Sequence, residues 1–398
     1  MLDETLRDGL QSPSVRHPTI EQKLQILHLI DGLGTNAVNI GFPGVGLRVS
    51  QDAERLAHEI ATCRLQVKAN CSARTLLADI RSIVEISQRA GIPIECFAFI
   101  GSSPIRRHIE GWTTEELERR TEEAISFAVR EGLSVTYVTE DTTRADPGTL
   151  RRLYTAAIRA GASRACITDT VGHATPAGAA AVVNFVADLA KDCGTGVGID
   201  WHGHRDRGMA VINAISALEA GATRLHGTAL GIGERVGNTP IDLLLVNLVL
   251  MRYLERDLTH LGEYCAVVSR ACGIPIPPNY PVIGKDAFRT TTGVHAAAVI
   301  KALRKQDQAL ADAVYSGVRA QLVGRKQDIQ IGPMSGRSNV IFWLEQHRLP
   351  VSDSLVGKIF ARAKESDHVL HDQEIMEIIY EVEQHESGLG VTALGSGS

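Results

Sequence analysis

The chain sets two histidines two residues apart, His202-Gly203-His204. In an extended segment that spacing turns both imidazoles to one face. Two imidazoles with one carboxylate suit a divalent transition metal that keeps open positions for water or substrate. Asp8 is the natural third ligand, and Asn238, in a glycine-rich stretch, is either a neutral oxygen donor to the metal or its water, or a turn residue. Arg7, adjacent to Asp8, can neutralise charge developing on an oxyanion or enolate, unless the two form only a rim salt bridge. A metal there can hold a 2-oxo acid through its carboxylate and carbonyl oxygens and polarise the carbonyl, while Glu140 or a histidine moves protons. The kit suits making or breaking a carbon–carbon bond beside a carbonyl.

Residues this far apart in sequence need a scaffold that brings them together. Short β-rich runs lie near Leu2–Leu6, Ala37–Phe42, Leu65–Asn70, Ile94–Ile100, Ser134–Thr139, Arg164–Thr168, Gly196–Trp201 and Thr223–Thr228. Amphipathic helical stretches separate them: Ile20–Leu33, Ser50–Thr62, Thr75–Ala90, Thr114–Arg130, Pro147–Ala160, Pro176–Asp192 and Met209–Ala220. Glycines at 91, 132, 161 and 221 follow several of these helices, where a left-handed cap favours glycine. Strands alternating with crossover helices pair in parallel, and eight such units predict an α/β fold, a closed (β/α)8 TIM barrel. The competitor, an open doubly wound sheet, usually carries a glycine-rich phosphate turn after its first strand, and Arg7-Asp8-Gly9 is not one. In a TIM barrel the active site lies where the strands end. Those ends carry Arg7-Asp8, Glu140-Asp141, Asp169-Thr170, His202-Gly203-His204 and the run from Gly231 to Asn238.

The alternation stops near Leu254, and the proline-rich segment Cys272–Pro281 reads as a connection. Helical segments follow near Val294–Leu303, Leu310–Tyr315, Arg337–Gln346, Ser352–Glu365 and Asp372–Glu383. The expected organisation is a catalytic barrel over 1–255, a C-terminal helical subdomain over 256–390 and a flexible Gly/Ser tail over 391–398.

Composition narrows the function classes. The 398 residues are 44% hydrophobic and 22% charged, an ordinary globular balance. Lys and Arg number 41 against 46 acids, without a basic block, which argues against a nucleic-acid partner. No apolar run is long enough to cross a membrane, and the charged start Met1–Gln11 is not a secretion signal. The seven cysteines show no CxxC spacing and suit a reducing, cytoplasmic location.

Taken in order, these segments resemble the metal-dependent aldolase-like barrels with an Asp-Arg-Glu signature, and within them the 2-isopropylmalate, homocitrate and citramalate synthase group. Asp3-Glu4-Thr5-Leu6-Arg7-Asp8-Gly9-Leu10-Gln11 is similar to the first-strand motif, Glu140-Asp141-Thr142-Thr143-Arg144 to the fifth and Asp169-Thr170-Val171-Gly172-His173-Ala174-Thr175-Pro176 to the sixth. The HxH pair, the GxGERxGN loop, Thr292-Gly293-Val294-His295 and Ser335-Gly336-Arg337 extend the resemblance across most of residues 3 to 340. It implies a Claisen condensation of acetyl-CoA, the co-substrate, with a 2-oxo acid to give an alkylmalate-type product, in the manner of a 2-isopropylmalate synthase. It further implies that Asp8, His202 and His204 bind Mg²⁺, Mn²⁺ or Zn²⁺, with Asn238 as an additional or water-mediated ligand. Arg7 would polarise the ketone oxygen, Glu140 would serve proton transfer or acetyl-CoA positioning, and Thr170 and Gln11 would bind substrate. His295 and Tyr315 would act in enolisation or thioester hydrolysis. In the family the helical appendage reaches over the neighbouring subunit's barrel, so the resemblance implies a homodimer.

The sequence departs from the family pattern at several places. Arg205 replaces the asparagine of the usual HxHND, Ala296-Ala297-Ala298 stands in place of a polar pair, Asn39 falls where relatives often have Glu, and Phe97 where a histidine is common. Gly41-Phe42-Pro43 leans towards the isopropylmalate branch. The stretch after the barrel suits an appendage but not the additional regulatory domain of leucine-inhibited synthases. Alternatives are a homocitrate or citramalate synthase, a lyase of the HMG-CoA lyase kind, an aldolase, and a non-catalytic regulatory relative. The lyases share Leu10 but carry a cysteine in the loop after strand eight, where Gly231–Asn238 has none.

Overall fold

The computed structural model describes residues 1–194 and 196–392, so of the expected tail 393–398 lie outside the described residues. The chain divides into two compact units, Met1–Ile276 and Pro277–Ser398.

In the first unit eight parallel strands close in sequence order: β1 (Leu2–Asp3), β2 (Ala37–Asn39), β3 (Lys68–Arg74), β4 (Glu95–Gly101), β5 (Val135–Glu140), β6 (Arg164–Asp169), β7 (Gly198–Gly203) and β8 (Arg224–Gly227). Closure is made by β1, which pairs through Leu2 and Asp3 with Ala37 and Val38 on one side and with His226 and Gly227 on the other. This is the (β/α)8 TIM barrel. The crossover helices are α1 (Ile20–Gly32), α2 (Leu47–Cys63), α3 (Leu77–Ala90), α4 (Pro104–Glu110), α5 (Thr114–Arg130), α6 (Pro147–Arg159), α7 (Pro176–Asp192) and α8 (Ala210–Glu219), and α9 (Ile241–Leu250) and α10 (Leu261–Cys272) follow the last strand. Their starts are written in the chain. Side chains of Ser103, Thr113, Asp146 and Thr175 each accept a first-turn N–H, and Pro104, Pro147 and Pro176 stand in first turns, where their missing donor costs nothing. The inner layer at one level of the barrel is Leu2, Ala37 and Phe97, with Val138 against them.

Two expectations need correction. The first strand is shorter than Leu2–Leu6, because the carbonyl of Glu4 turns to accept the N–H groups of Arg7 and Gly9 instead of continuing the ladder. The first unit also runs past residue 255 to Ile276. The reason is α10, whose buried Tyr264 donates to Asp3 Oδ2 at 2.5 Å and shares a 2.9 Å hydrogen bond with Thr5, tying that helix to the start of the barrel.

The second unit holds α11 (Gly293–Arg304), α12 (Gln308–Val314), α13 (Arg337–Gln346), α14 (Asp353–Glu365) and α15 (Asp372–Thr392), with a short parallel pair, β9 (Arg289–Thr290) and β10 (Asp328–Ile329), which the helical reading did not foresee. Residues 391 and 392, expected in the tail, end α15. Two motifs meet here backbone to backbone: a Cβ on Gly293 would lie 2.6 Å from Gly336 N. Ser335 Oγ donates to Thr291 O at 2.8 Å, and Ala296, one of three alanines in place of polar residues, is fully buried in the core of this unit.

Candidate active site

The turn after β1 carries Arg7 and Asp8 past the last pleat of the strand, which frees both neighbours to face the barrel mouth. His202 lies within β7 and His204 one residue beyond it, so strand alternation turns both inward. Their Nε2 atoms are 3.4 Å apart, and Asp8 Oδ2 lies 3.4 Å from His202 Nε2 and 3.9 Å from His204 Nε2. All three residues are buried. Asn238 Nδ2 donates to Asp8 Oδ1 at 2.8 Å, which leaves Asn238 Oδ1 buried with no hydrogen-bond partner. The glycine-rich loop that carries Asn238 depends on Gly237. With φ at +105°, a Cβ there would lie 1.8 Å from Gly231 O.

Burial works against charge on Asp8, yet the carboxyl is held well below the usual range, with the adjacent Arg7 guanidinium the largest opposing influence. Burial pushes His204 down to about 4 against the pull of Asp8, so its imidazole is neutral at neutral pH. A carboxylate and imidazole nitrogens converge within 4.8 Å of one another, and a buried, unpaired amide oxygen stands beside them. This donor set fits a divalent cation.

Arg7 is clamped. Glu4 Oε2 accepts from its Nε at 2.7 Å and lies 2.6 Å from Nη2, while Asp8 Oδ2 accepts from Nη1 at 2.9 Å. Glu4 is fully buried, and desolvation raises its pKa against the opposing pull of Arg7. Asn39, where relatives often have an acid, donates to Ser72 Oγ at 3.0 Å and to Glu4 Oε1 at 3.4 Å. The carboxylate facing Arg7 therefore comes from β1's own end. The Glu4–Arg7 spacing of three residues was the signal for it.

Arg7, Asp8, Gln11, Glu140, Thr170, His202 and His204 all line one cavity of about 330 Å³. Phe42, Phe97, Phe99 and Val138 supply its apolar wall. Glu140 has its pKa raised by burial, partly offset by Arg106 3.6 Å away. Thr170 Oγ1 accepts the N–H of Asp141 at 2.8 Å, so its own hydrogen is left for another acceptor. Arg205 has a loop-holding contact: its Nε donates to Val236 O at 2.7 Å. Phe97 stacks on His226 with centroids 5.7 Å apart.

His295 and Tyr315 belong to the second unit, where their rings lie 4.2 Å apart, both exposed. Tyr315 caps α12 rather than ending inside it. The sequence reading passed over His226 and Asp200. Asp200 alternates with His202 and His204 along one buried strand face, which was the available signal.

Fold and site together define a TIM barrel with a candidate metal centre at the ends of its strands. The chain belongs to the HMGL-like family, whose model matches residues 1–266. It is 34% identical to homocitrate synthase AksA of Methanopyrus kandleri over 91% of this chain and 86% of that one. It is 30% identical to 2-isopropylmalate synthase of a Geobacillus species, covering 96% of this chain and 73% of the relative. With (R)-citramalate synthase CimA of Methanocaldococcus jannaschii it shares 29% identity over 96% of this chain and 74% of the relative. Among solved structures, HMG-CoA lyase of Bacillus subtilis superposes with a TM-score of 0.58 at 22% identity, covering 70% of this chain and 95% of that chain. That likeness is one of fold.

Proposed function

We propose that the protein condenses acetyl-CoA with a 2-oxo acid: a methyl proton is removed, the enolate adds to the ketone carbon, and water releases CoA from the thioester, leaving an alkylmalate-type product. The observation that carries this reading is the convergence of Asp8, His202 and His204 beside a clamped Arg7, in a chain whose relatives are synthases of this kind. A cation held by the three ligands supplies Lewis acidity towards the ketone. Arg7, fixed by Glu4 and Asp8, presents its remaining N–H groups to the oxygen on which charge develops. Thr170 offers its hydroxyl hydrogen to the oxo acid's carboxylate, and Gln11 lies on the same wall. Glu140, its pKa raised by burial and its carboxyl on the cavity wall, is suited to hold and move a proton.

The finer reading is a 2-isopropylmalate synthase-like enzyme. One methylene in the pocket changes selectivity by about 1–3 kcal/mol, so the acid is named by a panel. Thiol release from acetyl-CoA is followed with Mg²⁺ or Mn²⁺ and a series of 2-oxo acids of increasing chain length. Release with one acid, lost in His202→Ala, supports the synthase. Cleavage of a hydroxyacyl-CoA without release moves the protein to the lyases, and oxo-acid binding without turnover makes it a non-catalytic relative. The same reading gives His295 and Tyr315 roles in enolisation or thioester hydrolysis on a partner chain of a homodimer. Mixing inactive His202→Ala with inactive His295→Ala then regains activity, and failure to do so removes that assignment.

A further inference from the structure

Behind the proposed metal ligands lies a second buried chain of polar groups. Asp200 is fully buried and His226 is 2% exposed. Asp200 Oδ2 is 2.9 Å from His226 Nε2, and His226 Nδ1 is 3.4 Å from Nδ1 of His202. Asp200 Oδ2 also accepts from Arg224 Nε at 2.7 Å, and Oδ1 from Arg164 Nε at 2.6 Å. With a guanidinium on each oxygen, Asp200 is a carboxylate that only accepts. The proton in the Asp200–His226 contact therefore sits on His226 Nε2.

His226, protonated at Nε2, presents Nδ1 as an acceptor towards His202. A cation on His202 Nε2 requires the hydrogen of that ring to be on Nδ1, 3.4 Å from this acceptor. That leaves His202 Nε2 unprotonated, facing Asp8 and His204 Nε2. The stacked Phe97 ring and the edge-to-face His202 ring, 5.5 Å away, hold His226 in this orientation. We propose that Asp200 and His226 are positioning residues which fix His202 in the one tautomer able to ligate a cation through Nε2. This rests on the metal reading above and deepens it: the outer partner of a metal-binding histidine sets its tautomer and orientation, and losing that partner typically lowers metal affinity 10–100-fold.

The full chain labelled with ¹⁵N-histidine gives the first test. With Mg²⁺ added, its long-range nitrogen–proton spectrum shows Nδ1–H for His202 and Nε2–H for His226. The opposite tautomer at His202, or an imidazolium at His226, overturns the proposal. The second test is Mn²⁺ binding, read by the resonance of the free ion. Wild type takes up one ion per chain, His226→Leu binds 10–100-fold more weakly, and His226→Gln stays within about threefold, because an amide both accepts from His202 and donates to Asp200. Unchanged affinity in His226→Leu refutes the relay. So does a second ion per chain that the leucine variant loses, since Glu4 Oε1 lies 3.8 Å from His226 Nδ1 and could complete a separate site. If wild type takes up no Mn²⁺, the metal reading itself fails, whereas uptake that His226→Leu leaves unchanged removes the relay alone. The spectrum also stands if the leucine variant does not fold.

Discussion

Glu4 grips Arg7 from three residues away: Oε2 of the fully buried carboxylate accepts Nε at 2.7 Å and sits 2.6 Å from Nη2. The clamp leaves the guanidinium one orientation over the cavity, with Asp8 completing it. Positioning of this kind, more than charge alone, decides whether a cation-bearing side chain serves a transition state.

Glu4→Gln should therefore lower kcat/KM of the condensation by about 10–100-fold through misplacement of Arg7, while Mn²⁺ affinity changes little. Steady-state kinetics beside a binding titration measure both. Unaltered kinetics would show that the clamp has no part in the reaction.

A cation bound by Asp8, His202 and His204 stabilises the folded state by mass action, about 2.7 kcal/mol at a hundredfold excess over Kd. Added Mn²⁺ should raise the melting temperature of the wild type by several degrees. His204→Ala, lacking one ligand, should show little shift, and a chelator should reverse the gain.

Asp3 gives the stability a defined pH dependence. Burial raises its pKa to about 6, against hydrogen bonds from Tyr264 and Thr5. A carboxyl whose folded pKa lies above its unfolded value adds stability below the unfolded pKa, and that contribution is lost as pH rises through the folded one. Stability should fall by roughly 2–3 kcal/mol between pH 4 and pH 7 from this group. Asp3→Asn keeps the contacts without the charge, so denaturation midpoints at pH 4.5 and 7.5 should differ less in the variant. An identical pH slope would count against this account.

Gly237→Ala places a methyl group where Gly231 O stands and strains a backbone at φ +105°. The loop must shift, and with it the 2.8 Å bond from Asn238 to Asp8. The expected result is weaker Mn²⁺ binding together with a fold destabilised by at least about 1–2 kcal/mol of left-handed strain, read from denaturation midpoints. Full retention of both would mean that the loop does not hold Asp8.

Much of this was legible in the chain. Strand and helix periods, Pro and Ser/Thr/Asp helix starts and the count of eight units identified the barrel, because each is a local preference repeated along the sequence. The two-residue spacing of His202 and His204 announced a shared face, since alternation along a strand is a property of the backbone itself. What local rules could not supply was the company each residue keeps across strands. β1 ends at Asp3 rather than Leu6 because Glu4's carbonyl turns back. The first unit runs to Ile276 because Tyr264 reaches Asp3. Glu4, Asn39, His226 and Asp200 acquire their roles only when β1, β2, β7 and β8 stand side by side. Spacing along the polypeptide determined which side chains face inward; closure of the barrel alone decided which of them touch, because hydrogen bonds a few ångströms long join residues hundreds of positions apart.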